Sequence, residues 1–479
     1  MLIGQTSINL SANILSALLG LSSVFIFTRL FSAHDYGVYL LGVGFASVVS
    51  TFLAGWFRNI IMSGHARNDG TDVRGLVISG YLVSCLTVPV AYGLGRLVGL
   101  DGFATAAALA LAIAIGLFEL TQDLVRARLL AITAMRGTLV RAASILVLGA
   151  IVATITPTGV FLLVSAAAAC LLAIAVQARA WHGTRLTVDR TTLVNAAKHG
   201  LPLTLSLTLL AISSVTDRFV IANLVTPAEA GRYIAGLDLV RQTLMMPAMS
   251  AAAVFFPLAI KINASEGPAA VRSHLRECVE LLLGFTLPAA LGFAVISSHV
   301  ANVILGADFR ALAAQTMPIV AVSVIFQILT QQYLHTSFLL SGRNSFYLIN
   351  TASIITANVI LSCIFVSKYG TVGAAWARLG ADVFGFAGAL LLSNRAYPIP
   401  FPPRRVALTA IAALAMAVIV GTLDRNLHTS DLAACGILAG AGAASYVVLC
   451  WLLDISRTRS RLRFCVTFFR TKLANRYTG

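Results

Sequence analysis

The sequence predicts an all-α polytopic membrane protein of about 14 transmembrane helices, and three observations predict it. Hydrophobic residues make up 58% of the 479 positions and charged residues only 11%, against roughly a quarter charged in a soluble domain. Apolar stretches of about 20 residues, the length that crosses a bilayer, recur from one end of the chain to the other. Basic residues fall almost wholly on one side of those stretches. With a mean hydropathy of +0.89, the chain has too few charges to cover a water-soluble globule. A soluble enzyme, a disordered protein and a nucleic-acid-binding domain are therefore excluded as readings.

The stretches lie near 8–28, 38–57, 76–97, 103–124, 139–156 and 159–178, then near 201–224, 233–258, 280–304, 317–340, 345–367 and 372–392. Two more lie near 405–423 and 432–453. An even number of spans puts both termini on one side. That side collects 25 of the 34 Lys and Arg residues, the opposite side 6, and Arg218, Arg241 and Arg378 lie within spans. Cytoplasmic loops carry such an excess, so both termini are expected in the cytoplasm, and most of the net +16 is orientation rather than a partner surface. The seven cysteines are scattered through apolar runs with no CxxC pair, and read as small buried hydrophobes.

A repeat divides the chain. Leu30-Phe31-Ser32-Ala33-His34-Asp35-Tyr36-Gly37-Val38-Tyr39 after span 1 is echoed by Leu224-Val225-Thr226-Pro227-Ala228-Glu229-Ala230-Gly231-Arg232-Tyr233 after span 7. In each copy a hydroxyl precedes an acid by three residues, the pattern of a capping box at a helix start. Thr87-Val88-Pro89 with Gly93 is echoed by Thr286-Leu287-Pro288 with Gly292. The repeat implies two six-span units of like orientation, related by a pseudo-two-fold along the membrane normal, a transporter architecture. The expected organisation is an N-terminal six-helix bundle (1–178), a cytoplasmic linker (179–199), a C-terminal six-helix bundle (200–392), two additional transmembrane helices (393–453) and a basic cytoplasmic tail (454–479).

These segments resemble the polysaccharide-biosynthesis flippases, the Wzx-like family. Arg29 to Tyr39 resembles that family's first hairpin, and so does Asp217-Arg218-Phe219 followed by Glu229 to Tyr233. Leu305-Gly306-Ala307-Asp308-Phe309 resembles its span 9–10 turn, and Tyr369-Gly370-Thr371-Val372-Gly373 the beginning of its span 12. The resemblance implies the fold of the multidrug/oligosaccharidyl-lipid/polysaccharide exporters. It implies a flippase, not an enzyme, that turns an undecaprenyl-pyrophosphate-linked oligosaccharide across the bacterial inner membrane for cell-surface or exopolysaccharide synthesis. Its partners would be that lipid, membrane lipids, and a polysaccharide polymerase with its export machinery. Relatives of the same fold export drugs or cations, or flip the peptidoglycan lipid precursor, and these are the alternatives.

Charges inside spans are expensive and mark candidate sites. Asp238 and Arg241 in span 8, and Arg378 and Asp382 in span 12, share a helix face within each pair. Asp217 and Arg218 in span 7 are adjacent and do not. Guanidinium groups fork onto a diphosphate; the pairs in spans 8 and 12 read equally well as internal ion pairs that lock helices, and Asp217 and Arg218, near the outer end of span 7, read more readily so. Arg58, at the cytoplasmic end of span 2, either meets an arriving diphosphate or anchors the helix. Gln327, Gln331 and His335 on span 10 are spaced four apart, a stripe fit for sugar hydroxyls or for interhelical hydrogen bonds. Glu119 and Asp123 on span 4, together with Asp217, are the candidates for ion coupling. No phosphate-binding GxxxxGK[ST] motif, HExxH or GxSxG occurs. No cofactor is expected, and a proton or sodium gradient is the expected driving force.

Overall fold

With no water in the hydrocarbon core, each backbone N–H and C=O there must be paired internally, which helices achieve within one segment. The computed structural model, described for residues 2–67, 73–184 and 190–453, is helical throughout those residues and carries no strand among them. Twelve of its helices are long and apolar enough to cross a membrane. The first six helices are α1 (Leu2–Leu30), α2 (Ala33–Arg67), α3 (Val73–Ser84), α4 (Val88–Leu97), α5 (Gly102–Ala127) and α6 (Ala131–Ile155). Next come α7 (Gly159–Val176), α8 (Arg190–Leu224), α9 (Pro227–Ser265), α10 (Pro268–Ile304) and α11 (Ala307–Ile328). The chain continues through α12 (His335–Leu340) and α13 (Asn344–Ala396) to α14 (Pro403–Arg425) and α15 (Asp431–Leu452).

Fourteen predicted spans and twelve helices are reconciled at two places. Helix α13 is two spans fused end to end. Gly370, at φ 60°, breaks its helical backbone, a conformation that glycine adopts without steric cost. Helix α1 is described in its side chains only from Leu15 to Leu30, a stretch shorter than the others. The predicted basic tail (454–479) and residues 185–189 of the linker lie outside the described residues.

The second echo of the repeat folds differently in its two copies. Around Pro89 the chain breaks into α3, a 3₁₀ turn at Cys85–Thr87, and α4. Around Pro288 it remains one helix, α10. A proline lacks the N–H that would close the preceding turn, so either outcome is open to it.

The chain forms two compact units. The first comprises residues 1–236, 304–312 and 351–378, and the second 237–303, 313–350 and 379–479. Within the first unit, the motif segments of the sequence converge at one set of helix ends. Ser32 Oγ donates to Asp35 Oδ2 at 2.6 Å and accepts from the Asp35 amide at 3.1 Å. Thr226 Oγ1 accepts from the Glu229 amide at 3.2 Å. Asp35 also takes the Gly159 amide, which starts α7, and Glu229 takes the Thr371 hydroxyl and the guanidinium of Arg232. Gly37 and Gly231, the repeated glycines, face each other: a Cβ on Gly37 would lie 2.1 Å from Pro227 O, and one on Gly231 2.7 Å from Gly37 Cα. Gly306 is as tight, its Cβ position 1.9 Å from Thr28 O, while its amide donates to Thr28 Oγ1. The motifs thus record close backbone approach and capping.

Candidate functional site

In the first unit, α8, α9 and α13 bring together the charges predicted in spans 7 and 12. Arg378 Nη1 lies 3.0 Å from Asp217 Oδ2, with the Asp217 side chain fully buried and that of Arg378 only 5% exposed. Tyr233 Oη donates to the same carboxylate oxygen at 3.2 Å, and the Arg218 amide donates to Asp217 Oδ1. Arg218 is itself buried. Asp217 is therefore held by a resident guanidinium and a phenol. A buried carboxylate with a matched cation and hydrogen bonds costs far less than a lone one.

At the basic ends of the first unit, Arg58 bridges α2 to α5. Its Nε lies 2.7 Å from Asp123 Oδ2 and its Nη1 3.3 Å from Glu119 Oε2. The Arg58 side chain is 41% exposed, in contrast to the sealed Arg378. The sequence offered Arg58 to cargo or to anchoring and the two acids to an ion; the fold joins all three in one cluster, with Asp123 buried and Arg58 and Glu119 partly exposed.

The remaining predicted residues belong to the second unit. Asp238 and Arg241 sit on α9, each half-buried and each engaged in polar interactions. Asp382 takes the Ser323 hydroxyl at 2.5 Å. The Gln327, Gln331 and His335 stripe is interrupted by a π-helical turn at Leu329–Leu334. Such a turn widens the helix and shifts the register of the residues beyond it, so four-residue spacing no longer keeps one face. Gln327 and His335 are buried, whereas Gln331 is half-buried. His335 Nε2 lies 3.2 Å from Asn350 Nδ2, and its ring packs against Tyr347 at 4.6 Å.

A feature that the sequence did not reveal is an apolar cleft of about 750 Å³ in the second unit, walled chiefly by α10, α14 and α15, although Pro288 and Gly292 of the second echo line it. Its residues on α10 run from Glu280 to Ile296, which at about 1.5 Å per residue is about 24 Å of helix, most of the hydrocarbon thickness. Phe285, Pro288, Met416 and Val447 line it, with Gly284 and Gly292 leaving it open. A Cβ on Gly284 would meet nothing within 4 Å. Arg405 Nη1 contacts both oxygens of Glu280, at 2.6 and 2.8 Å, at one end. Elsewhere on the same three helices, His299 lies between Asp424 (2.8 Å) and Asp431 (2.6 Å). Glu280, Arg405 and His299 gave no pairing signal in sequence, because their partners lie 125 or more residues away. Among the described residues, no group of three or more His, Cys, Asp or Glu side chains is placed to hold a metal ion.

Solved structures share this arrangement of helices. The lipid II flippase MurJ in an inward closed conformation matches with a TM-score of 0.79 at 15% identity, covering 93% of this chain and 98% of that one. An inward-facing multidrug resistance MATE family transporter of the MOP superfamily matches at 0.62 and 15% identity, over 84% of this chain and 98% of that one. A Vibrio cholerae MATE transporter matches at 0.54 and 17% identity, over 82% and 97%. At these identities the likeness defines the fold, the MurJ/MATE-like fold. The polysaccharide biosynthesis protein family matches residues 26–314, and the chain belongs to that family. No curated protein matches the sequence.

Proposed function

We propose that this chain moves an undecaprenyl-pyrophosphate-linked oligosaccharide from the inner to the outer leaflet of the bacterial inner membrane by alternating access, with both termini in the cytoplasm and without chemistry on the cargo. The observation that carries this reading is the cleft along α10, α14 and α15: it is apolar and about as long as the bilayer core is thick. A drug-sized cation has no use for such a length, whereas a polyprenyl chain has. The lipid tails outside are as apolar as the cleft, so the cleft guides the anchor more than it binds it. Affinity has to come from the polar headgroup. Of the arginines, Arg218 and Arg378 are buried, and Arg58 and Arg241 retain exposure for a diphosphate. Gln331 and Asp238 retain exposure for sugars, whereas Gln327, His335 and Asp382 are buried and would reach them only in another conformation.

The coupling ion, H⁺ or Na⁺, is assigned to Glu119 and Asp123. These share the Arg58 guanidinium, so a cation bound to them competes with Arg58 and frees it for the diphosphate. Asp217 is a weaker candidate because Arg378 already neutralises it. The product would feed a polysaccharide polymerase and export machinery.

The test is deletion of the gene followed by analysis of surface glycan and of lipid-linked intermediates in each leaflet. The expected result is loss of surface glycan with diphospholipid-linked oligosaccharide accumulating on the inner leaflet. Normal surface glycan without accumulation overturns the proposal.

A further inference from the structure

The apolar cleft of the second unit is braced at both ends by charged groups, and the two braces differ in chemistry. At one end Arg405 of α14 holds Glu280 of α10. At the other, His299 of α10 stands between Asp424, near the end of α14, and Asp431, the first residue of α15. Its Nε2 lies 2.8 Å from Asp424 Oδ1 and its Nδ1 2.6 Å from Asp431 Oδ1. At about 1.5 Å per residue, about 28 Å of helix separates Glu280 from His299, and the cleft runs between them.

A guanidinium keeps its charge in proteins, so the Arg405 brace is permanent. An imidazole does not. In its neutral form one ring nitrogen carries a hydrogen and the other a bare lone pair, and that lone pair would face a carboxylate oxygen, acceptor against acceptor. Both His299 contacts are hydrogen bonds only when the trio holds one proton more than a neutral ring and two carboxylates carry. Water reaches that proton: the side chains of His299, Asp424 and Asp431 are 21%, 28% and 42% exposed. The ring is faced by Asp424 from α14 and by Asp431 from α15. Asn302, on α10 itself, donates to Asp431 at 3.4 Å, and Arg425 and His428 beside the turn are exposed. The trio is not placed to hold a metal ion.

The packing around the histidine end leaves the polar contacts in control. Val295 and Ile296 of α10 rest against Met416, Val420, Ala434 and Leu438 of α14 and α15. Lipid tails are as apolar as those side chains and replace them at little cost, whereas they offer nothing to a charged trio. Between the two braces α10 contains Pro288, which lacks the N–H that would close the preceding turn and loosens the helix there. One end of the cleft is therefore held by a fixed charge, the other by a titrating one, with a bendable point between them.

We infer that His299, Asp424 and Asp431 form a proton-operated latch on the cleft, closed while the trio holds its extra proton and released when that proton leaves, with Arg405 and Glu280 as the fixed end. Release parts α10 from the turn between α14 and α15 and lets an apolar chain pass at that end of the cleft. Only the identity of that chain, and the placing of the latch at the outer face where the lipid anchor leaves, rest on the proposed function. The latch itself is read without cargo.

The experiment uses the full chain in nanodiscs, its native cysteines replaced, with nitroxides at Ser298→Cys and Thr429→Cys, two exposed positions beside the latch. Dipolar broadening is read at about pH 5.5 and about pH 9, on either side of the histidine range. The labels are expected to couple in acid and to lose that coupling in base. A second pair at Glu277→Cys and Arg404→Cys, exposed positions near the fixed brace, is expected to stay unchanged. His299→Gln, which holds no charge, should be weakly coupled at both values, and His299→Arg, which keeps its charge, strongly coupled at both. Should the arginine variant fail to fold, Asp424→Asn with Asp431→Asn is expected to abolish the pH response. Equal coupling at both pH values in the unmutated latch, or a pH response that survives in His299→Gln, overturns the inference. In reconstituted vesicles His299→Arg is expected to move the lipid-linked glycan severalfold more slowly, and full transport by it overturns the latch's control of the cleft. A parent protein that responds in its labels but moves no such glycan supports the latch and counts against the proposed cargo alone.

Discussion

Two regions of this molecule invite comparison: the motif-rich helix ends of the first unit and the cleft of the second. The first holds nearly all the sequence that resembles a family, and its residues touch one another. Ser32 and Asp35 cap α2, Thr226 and Glu229 cap α9, Gly37 meets Gly231, and Gly306 seats on Thr28. The second region holds a cargo-sized apolar space and draws on the repeat only through Pro288 and Gly292. Its walls are Phe, Pro, Met, Val and Gly at ordinary helical spacing. Recognisable residues therefore mark where the backbone is crowded. Room for cargo is made by side chains that any span contains.

That contrast predicts that substitutions at the packed helix ends and the buried ion pair of the first unit act on stability, and those along the cleft act on transport. The largest effect belongs to Arg378→Ala, which leaves Asp217 buried without its cation. Breaking such a pair costs about 3–5 kcal/mol. The expected outcome is a strong loss of thermal stability in detergent or nanodiscs, partly restored by adding Asp217→Asn. If Arg378→Ala melts like wild type, the first unit is not held by that pair.

Next is Gly37→Ala. Its Cβ would fall 2.1 Å from Pro227 O, a backbone atom that cannot swing aside, and overpacking of this kind costs about 1–3 kcal/mol. A lowered melting temperature checks it, and an unchanged one shows that the α2 and α9 starts have slack. The smallest effect on stability is expected for Gly284→Leu with Gly292→Leu. The Cβ positions meet nothing within 4 Å and Met416 Cε at 3.5 Å respectively. Leucine is also a better helix former than glycine by up to about 1 kcal/mol, so the fold should hold while the cleft fills. Transport of the lipid-linked glycan in reconstituted vesicles should fall severalfold at normal protein levels. Full transport by this variant would remove the cleft from the mechanism.

The charges show how much of the site was legible in sequence. Composition flagged Asp217, Arg218 and Arg378 because charge inside a span is costly wherever it occurs. The pairing of Asp217 with Arg378 across 161 residues was not legible, nor was the role of Tyr233, a conspicuous member of the repeat. The polar stripe at Gln327, Gln331 and His335 assumed a regular helix, and the π turn at Leu329–Leu334 shifts that register. Glu119 and Asp123, four apart on one helix, stand out in the sequence as a pair of acids, yet it does not show that the side chain bridging them is Arg58, from another helix.

By itself the sequence determined that the chain is a helical, multipass membrane protein, where most spans begin and end, and that a capped helix start is used twice. Those properties arise from local terms: apolar length, capping hydroxyls and acids, and glycine where backbones nearly touch. Only the tertiary structure decided which charges neutralise which, and that α10, α14 and α15 leave a cleft between them. These depend on distances between residues far apart in the chain, which hydropathy and periodicity along a single helix do not encode.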